Sequence, residues 1–253
     1  MTRPVALVTG ARRGIGRAIA VALARTGHDV AFTDIVEDEA VADTVRAIED
    51  GGAKAFFLCH DVAMTDTHGD LVDSVVHQLG AIDCFVSNAG IGTPTRGDML
   101  DLAVGTFDQV LAVNLKGAAF LSQMAARAML AHPDRRRSIV FVTSVSAALA
   151  SPERADYCVS KAALSMWASN LALRLAPEGI AVFEVRPGVI RTDMTAAVAT
   201  SYDERIAAGL VPARRWGEAE DVGHIVAALA SGAFAFATGA IIPGDGGLSI
   251  ARL

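Results

Sequence analysis

Seven short, almost wholly apolar runs alternate along the chain with stretches in which apolar residues return every three to four positions. The runs are PVALVT, DVAFTD, KAFFLCHD, IDCFVSNAG, RSIVFVTS, IAVFEVRP and the late GAIIPGD. Their near-continuous Val, Ile, Phe and Ala content suits strands covered on both faces. Between the first two, Ile15, Ala18, Ile19, Ala22 and Leu23 recur at helical spacing and Gly27 closes the helix. Leu164, Ala168, Leu171 and Leu175 form a second stripe, ended by Pro177 and Gly179. Strand and helix alternating in this way predicts an α/β fold, a doubly wound parallel sheet of about seven strands with helices on both faces. Without an internal repeat, low-complexity tract or linker, residues 1–253 read as a single domain.

Composition narrows the function classes. The 253 residues are 52% apolar, enough for one buried core. No apolar run approaches the ~18 residues a membrane span needs, and MTRPVALVTG has none of the features of a signal peptide, so a cytoplasmic protein without a membrane partner is expected. A net charge of −6 disfavours nucleic acid. The one compact basic run, Arg135 to Arg137, reads as a solvated loop before a strand. Cys59, Cys84 and Cys158 are far apart and lie in apolar stretches, so they read as small buried residues rather than a disulfide or thiolate site. The six histidines show no ligand spacing, and no metal is expected.

Two segments carry candidate chemistry. In PVALVTGARRGIG, Gly10, Gly14 and Gly16 sit between a strand and a helix, where bare amides at a helix N-terminus can receive a pyrophosphate. Asp34 ends the next strand eighteen positions after Gly16, close to the offset of a ribose-binding acid. Its carboxylate would accept from ribose hydroxyls and repel a 2′-phosphate, which favours NAD over NADP. In SIVFVTSVSAALASPERADYCVSKAALSMW, Ser144 ends a strand, Tyr157 follows, and Lys161 lies four positions further on the same helical face. Taking a phenol from a pKa of about 10 to about 7 requires roughly 4 kcal/mol. One ammonium at ~4 Å and an effective dielectric of about 20 supplies that much. Tyr157 is then the expected acid/base of a hydride-transfer reaction, with Ser144 orienting the substrate oxygen and Lys161 tuning the phenol.

The T-G-x-x-x-G-x-G turn and this serine, tyrosine and lysine make the chain resemble the short-chain dehydrogenase/reductase family, and matching motifs run nearly end to end. The resemblance implies a Rossmann-type fold and a nicotinamide-dependent alcohol dehydrogenase or ketone reductase. It adds Asn114 to a catalytic set of Asn114, Ser144, Tyr157 and Lys161, the asparagine anchoring a water chain from the lysine. It implies cofactor contacts from the turn, Ile15 included, from Asp61 and Val62 at the adenine, and from Asn88, Ala89 and Gly90 beneath the cofactor. Tyr157 and Lys161 would also face the nicotinamide end, with Pro187, Gly188, Val189, Ile190 and Thr192 over it. Arg13 stands where NADP-dependent members carry a phosphate-pairing base, which conflicts with Asp34; Asp34 is given the greater weight because it lies directly at the hydroxyl. Ser87, Arg186 and Ala219 depart from the family pattern, and Arg186 leaves its strand's surroundings open.

The substrate is less legible. The loop after Ser144 contributes Ser146, Ala148, Ser151, Glu153 and Arg154, of which Ser146, Glu153 and Arg154 are the candidate contacts, although an exposed Glu153–Arg154 ion pair is the blander reading. DMTAAVATSYDERIAAGLVPARRW reads as a mobile lid helix. Whole-chain similarity to 3-oxoacyl-acyl-carrier-protein reductases implies a 3-oxoacyl substrate. An NAD-linked sugar or polyol dehydrogenase, or a non-catalytic nucleotide sensor, are the alternatives. The family's habit implies a homotetramer.

Overall fold

A computed structural model describes residues 3–196 and 198–252. Seven strands form one all-parallel sheet: β1 (Val5–Thr9), β2 (Asp29–Asp34), β3 (Ala55–Cys59), β4 (Cys84–Ser87), β5 (Arg137–Val142), β6 (Ile180–Pro187) and β7 (Ile241–Gly244). Their spatial order is β3-β2-β1-β4-β5-β6-β7. The chain winds outward from β1 to one edge, then returns to lie beside β1 as β4 and continues to the other. This reversal opens a crevice above the carboxyl ends of β1 and β4, the position where open α/β sheets take ligands.

The helices are α1 (Gly14–Arg25), α2 (Glu39–Glu49), α3 (His68–Leu79), α4 (Val104–Leu111), α5 (Ala118–Leu130), α6 (Ala155–Leu175), α7 (Asp193–Ala196), α8 (Ala199–Ala207) and α9 (Ala219–Ala230). Strand side chains alternate between two apolar layers. Ala6 and Val8 join Ile19 and Leu23 of α1, Ile48 of α2 and Val222 and Val226 of α9. Val5 and Leu7 join Val72 of α3, Leu121 of α5 and Leu164 and Ala168 of α6. β1, β4 and β5 are buried throughout, as their unbroken apolar runs predict, whereas edge strands β3 and β7 are partly exposed because each has only one neighbour. Among the described residues no helix is long and apolar enough to cross a membrane.

Several expectations are corrected. Arg135 and Arg136 lie in the loop before β5 as expected, with Arg136 exposed, but Arg137 is buried in the strand itself. Arg135 grips Asp83 with two bonds of 2.5 and 2.6 Å, Arg136 donates to the Ser231 carbonyl, and buried Arg137 opens β5 while donating to the carbonyls of Met129, Pro133 and Glu178. Arg136 and Arg137 thereby cap main-chain carbonyls, while Arg135 is held by the Asp83 carboxylate. Of the cysteines only Cys84 is buried; Cys59 is exposed because it ends the edge strand β3, and Cys158 is half-buried. The lid segment is two helices, α7 and α8, and Ile206, Val211 and Trp216 anchor it in a separate apolar cluster with Val189.

Candidate active site

The glycine turn forms as its residue types require. Gly10 and Gly14 adopt φ of +64° and +55°, in the left-handed region that favours glycine. A Cβ on Gly16 would lie 2.2 Å from the Gly10 carbonyl oxygen. α1 begins without a side-chain cap, so its first amides are left for a ligand. Asn88 works beneath this turn, its Nδ2 donating to the carbonyls of Thr9 and Gly10 at 2.9 and 3.0 Å. The Thr9 hydroxyl accepts from the amides of Asn88 and Ala89. The carboxyl ends of β1 and β4 are therefore locked together under the cradle, and Thr9 was not visible as a participant from sequence. An uncapped helix start behind a turn too tight for side chains fits the pyrophosphate of a dinucleotide.

At the end of β2, the Asp34 carboxylate accepts from the Ile35 and Arg12 amides and lies 3.6 Å from Arg12 Nε. Arg12 also pairs with Asp38 at 2.5 Å. Arg13 pairs with Asp193 of α7 at 2.8 Å, both side chains largely exposed. The base beside Asp34 is Arg12, which the motif does not distinguish from Arg13. Asp61 is exposed and accepts from the Ala63 amide, and Val62 is buried, its carbonyl held by His68 Nε2 at 2.9 Å.

The proposed catalytic residues come from three elements. Residues Ala112–Gly117 form a π-helical segment between α4 and α5, and Asn114 projects from it, fully buried. Its Oδ1 accepts from the Ile91 amide at 2.8 Å, while Nδ2 donates to the Ile91 carbonyl and to Ser160 Oγ. The carboxamide is thereby committed to the loop after β4 and to α6. Gly90 lies against it: a Cβ there would be 3.2 Å from Asn114 Oδ1 and 3.4 Å from Lys161 Nζ. Lys161 is buried and donates to the Val142 carbonyl at 3.2 Å. Ser144, just beyond β5, accepts from the Ser146 amide and neighbours the Tyr157 phenol. The Arg154 guanidinium stands 5.7 Å from the Tyr157 ring centre.

The electrostatics differ from the expectation that Lys161 lowers the phenol. Burial holds the Tyr157 phenol above its ordinary value, with the neighbouring Ser144 hydroxyl and the Arg154 charge pulling only partly the other way. Lys161 is itself brought down to about 8, again by burial, against which the Glu184 carboxylate acts. Its Nζ lies 5.8 Å from the ring centre. Desolvation penalises the charged form of both groups, so at neutral pH the phenol carries its proton, the form that can donate to a carbonyl oxygen.

The other predicted positions divide. Gly188 packs so closely on Asp245 of the GDGG segment that a Cβ would be 2.8 Å from its Cα. The Val189 carbonyl accepts from Gly217 and that of Ile190 from Thr195 Oγ1, which fixes the turn after β6; Thr192 reaches toward Gly14. Ser146 is buried as a support for Ser144, whereas Glu153 is exposed, and among the described residues no ion pair joins it to Arg154. Asp156, missed from sequence, is fully buried and accepts from Thr93 Oγ1 and the Tyr157 amide.

The family model described as Enoyl-(Acyl carrier protein) reductase matches residues 10–249. The 3-oxoacyl-acyl-carrier-protein reductase FabG of Staphylococcus epidermidis is 35% identical over 244 residues, 96% of this chain and 98% of that protein. A crystal structure of 3-oxoacyl-acyl-carrier-protein reductase from Brucella melitensis in complex with NAD superimposes with a TM-score of 0.97 at 54% identity, covering 100% of both chains. A putative short-chain alcohol dehydrogenase from Sinorhizobium meliloti gives 0.92 at 34% identity, covering 100% of this chain and 98% of that one. With its single parallel sheet and its phosphate-ready turn, the chain belongs to the short-chain dehydrogenase/reductase family of nicotinamide-dependent oxidoreductases.

Proposed function

We propose that this chain, one domain over residues 1–253, reduces the ketone of a 3-oxoacyl thioester with NADH in the cytoplasm. The observation that carries the reading is the convergence of Ser144, Tyr157 and Lys161, with Asn114 behind them, beside the glycine cradle. The Gly10–Gly16 turn would hold the pyrophosphate, Asp34 the adenosine ribose, Asp61 and Val62 the adenine, and the Gly188–Thr192 turn the nicotinamide end. The bound nicotinamide supplies or accepts the hydride. Ser144 holds the substrate oxygen, and the protonated Tyr157 phenol gives its proton to that oxygen as the carbonyl is reduced. Lys161 restores the proton to Tyr157, and Asn114 keeps the Gly90–Ile91 floor in place. The preference for NAD is supported by Asp34 at the end of β2, by the engagement of Arg13 with Asp193, and by the relative crystallised with NAD.

The exposed Val159, Met166 and Leu173 recur every seven residues along α6, which brings them to one face, and a second copy of the chain is the proposed occupant in a homotetramer. An NAD-linked dehydrogenase of a secondary alcohol is the second reading, favoured by the same Asp34 and by the similarity to a putative short-chain alcohol dehydrogenase.

Initial rates with NADH and NADPH on acetoacetyl thioesters, simple ketones and sugars separate these readings. NADH-driven turnover of the thioester is expected, and Tyr157→Phe should bind NADH normally while losing at least about a hundredfold in kcat. A Tyr157→Phe variant with undiminished turnover overturns the assignment.

A further inference from the structure

The row of β6 side chains facing α6 changes character along the strand. Ile180 and Val182 belong to the apolar layer beneath α6. The next two positions on that face, Glu184 and Arg186, are charged. A carboxylate inside a sheet covered on both faces is costly unless it is paired and fully hydrogen-bonded. Glu184, 2% exposed, is both. Its Oε1 accepts from Thr143 Oγ1 at 2.6 Å and Arg186 Nε at 2.7 Å, and its Oε2 from Ser165 Oγ at 2.7 Å. Arg186 Nη2 also donates to Ser165 Oγ at 2.8 Å.

These ties lead to the site. Thr143 lies between Val142, whose carbonyl receives Lys161 Nζ, and Ser144, which meets the Tyr157 phenol. Ser165 is one turn beyond Lys161 on α6. We propose that Glu184 is a positioning residue for the Ser144–Tyr157–Lys161 site, a buried carboxylate that ties the site's end of β5 to α6 one turn past Lys161. The proposal rests on the roles assigned above to Tyr157 and Lys161.

An apolar pair of similar volume would pack the sheet equally well, so the charge itself needs a reason. On its own helix Lys161 has Tyr157 beside it and Asp156 beyond, the latter bound to Thr93 and the Tyr157 amide, and from β6 comes the Glu184–Arg186 pair. β5 presents the neutral Val142 carbonyl, and the π-helical segment presents the neutral Asn114 carboxamide. Glu184 is the negative group whose field acts on Lys161, against the burial that drives the lysine toward its neutral form.

The test compares Glu184→Gln, which keeps shape and loses charge, with Glu184→Asp, which keeps charge and shortens the tie. Rates are measured across pH with NADH and the best carbonyl of the panel above. For Glu184→Gln, KM and NADH affinity should hold, kcat should fall about tenfold, and the alkaline limb of kcat should move down by about one pH unit. Glu184→Asp should lose rate with its limb in place. Wild-type kcat and limb in Glu184→Gln, or equal rate losses in both variants with unmoved limbs, would overturn the proposal. Should Glu184→Gln not fold, Ser165→Ala removes only the tie to α6 and must lower kcat at unchanged KM; wild-type kcat there is equally fatal. Tyr157→Phe, run in parallel, distinguishes the two failures, since an active Tyr157→Phe sinks the site assignment itself.

Discussion

Burial sets the chemistry of Tyr157 and Lys161 in opposite senses, raising the phenol and lowering the ammonium. Because Lys161 falls to about 8, kcat/KM should decline on the alkaline side through that pH as the ammonium is lost. A pH–rate profile checks this, and a flat profile up to about pH 10 counts against a charged Lys161 in catalysis. The same residue makes a stability prediction of defined sign. Its folded pKa lies below its unfolded one, so from about pH 8 to about 10.5 the unfolded chain binds the extra proton and stability rises with pH. Urea unfolding of wild type against Lys161→Met across that window should show a pH-dependent difference that the variant lacks. The identities of Ser144, Tyr157 and Lys161 were legible because their spacing is local in sequence. Thr9, Arg12 and Asp156 were not, since each matters through a partner twenty or more positions away.

The glycine turn and the π-helical segment show local sequence and packing deciding different things. The turn is readable because glycine alone tolerates its backbone, and at Gly16 the exclusion is steric as well. Gly16→Ala would push a methyl into the Gly10 carbonyl and the Asn88 amide. It should cost about 1–3 kcal/mol of stability and weaken NADH binding; thermal unfolding and an NADH titration report both, and a wild-type dissociation constant would mean the turn is not the cradle. The π-helical segment has no comparable signature. It exists because Asn114 must meet Ile91 and Ser160 at once and because Gly117 sits against the Val62 carbonyl, 2.3 Å from where a Cβ would be. The lid region was readable as helical but not as two helices, whose separate apolar cluster is assembled with Val189 and Trp216 from outside them.

At the scale of the molecule, the crevice exists because the chain reverses direction across the sheet between β1 and β4. The outer faces present a second consequence. Met166 and Leu173 are 64% and 78% exposed on α6, an arrangement that a second copy would cover. Light scattering should find a tetramer for the wild type and a smaller species for Leu173→Glu; a monomeric wild type would remove the interface.

Hydrophobic period and glycine placement were enough to determine the seven parallel strands, the helices on either side and the tight glycine turn between β1 and α1, because each depends on neighbours within a turn or two. The protonation states at Tyr157 and Lys161, the partner of Arg13, the engagement of Arg135 to Arg137 and the Glu184–Arg186 tie were decided by folding. Those properties depend on how deeply a charge is removed from water and on which distant groups meet it there, and both are set only when the strands and helices pack together.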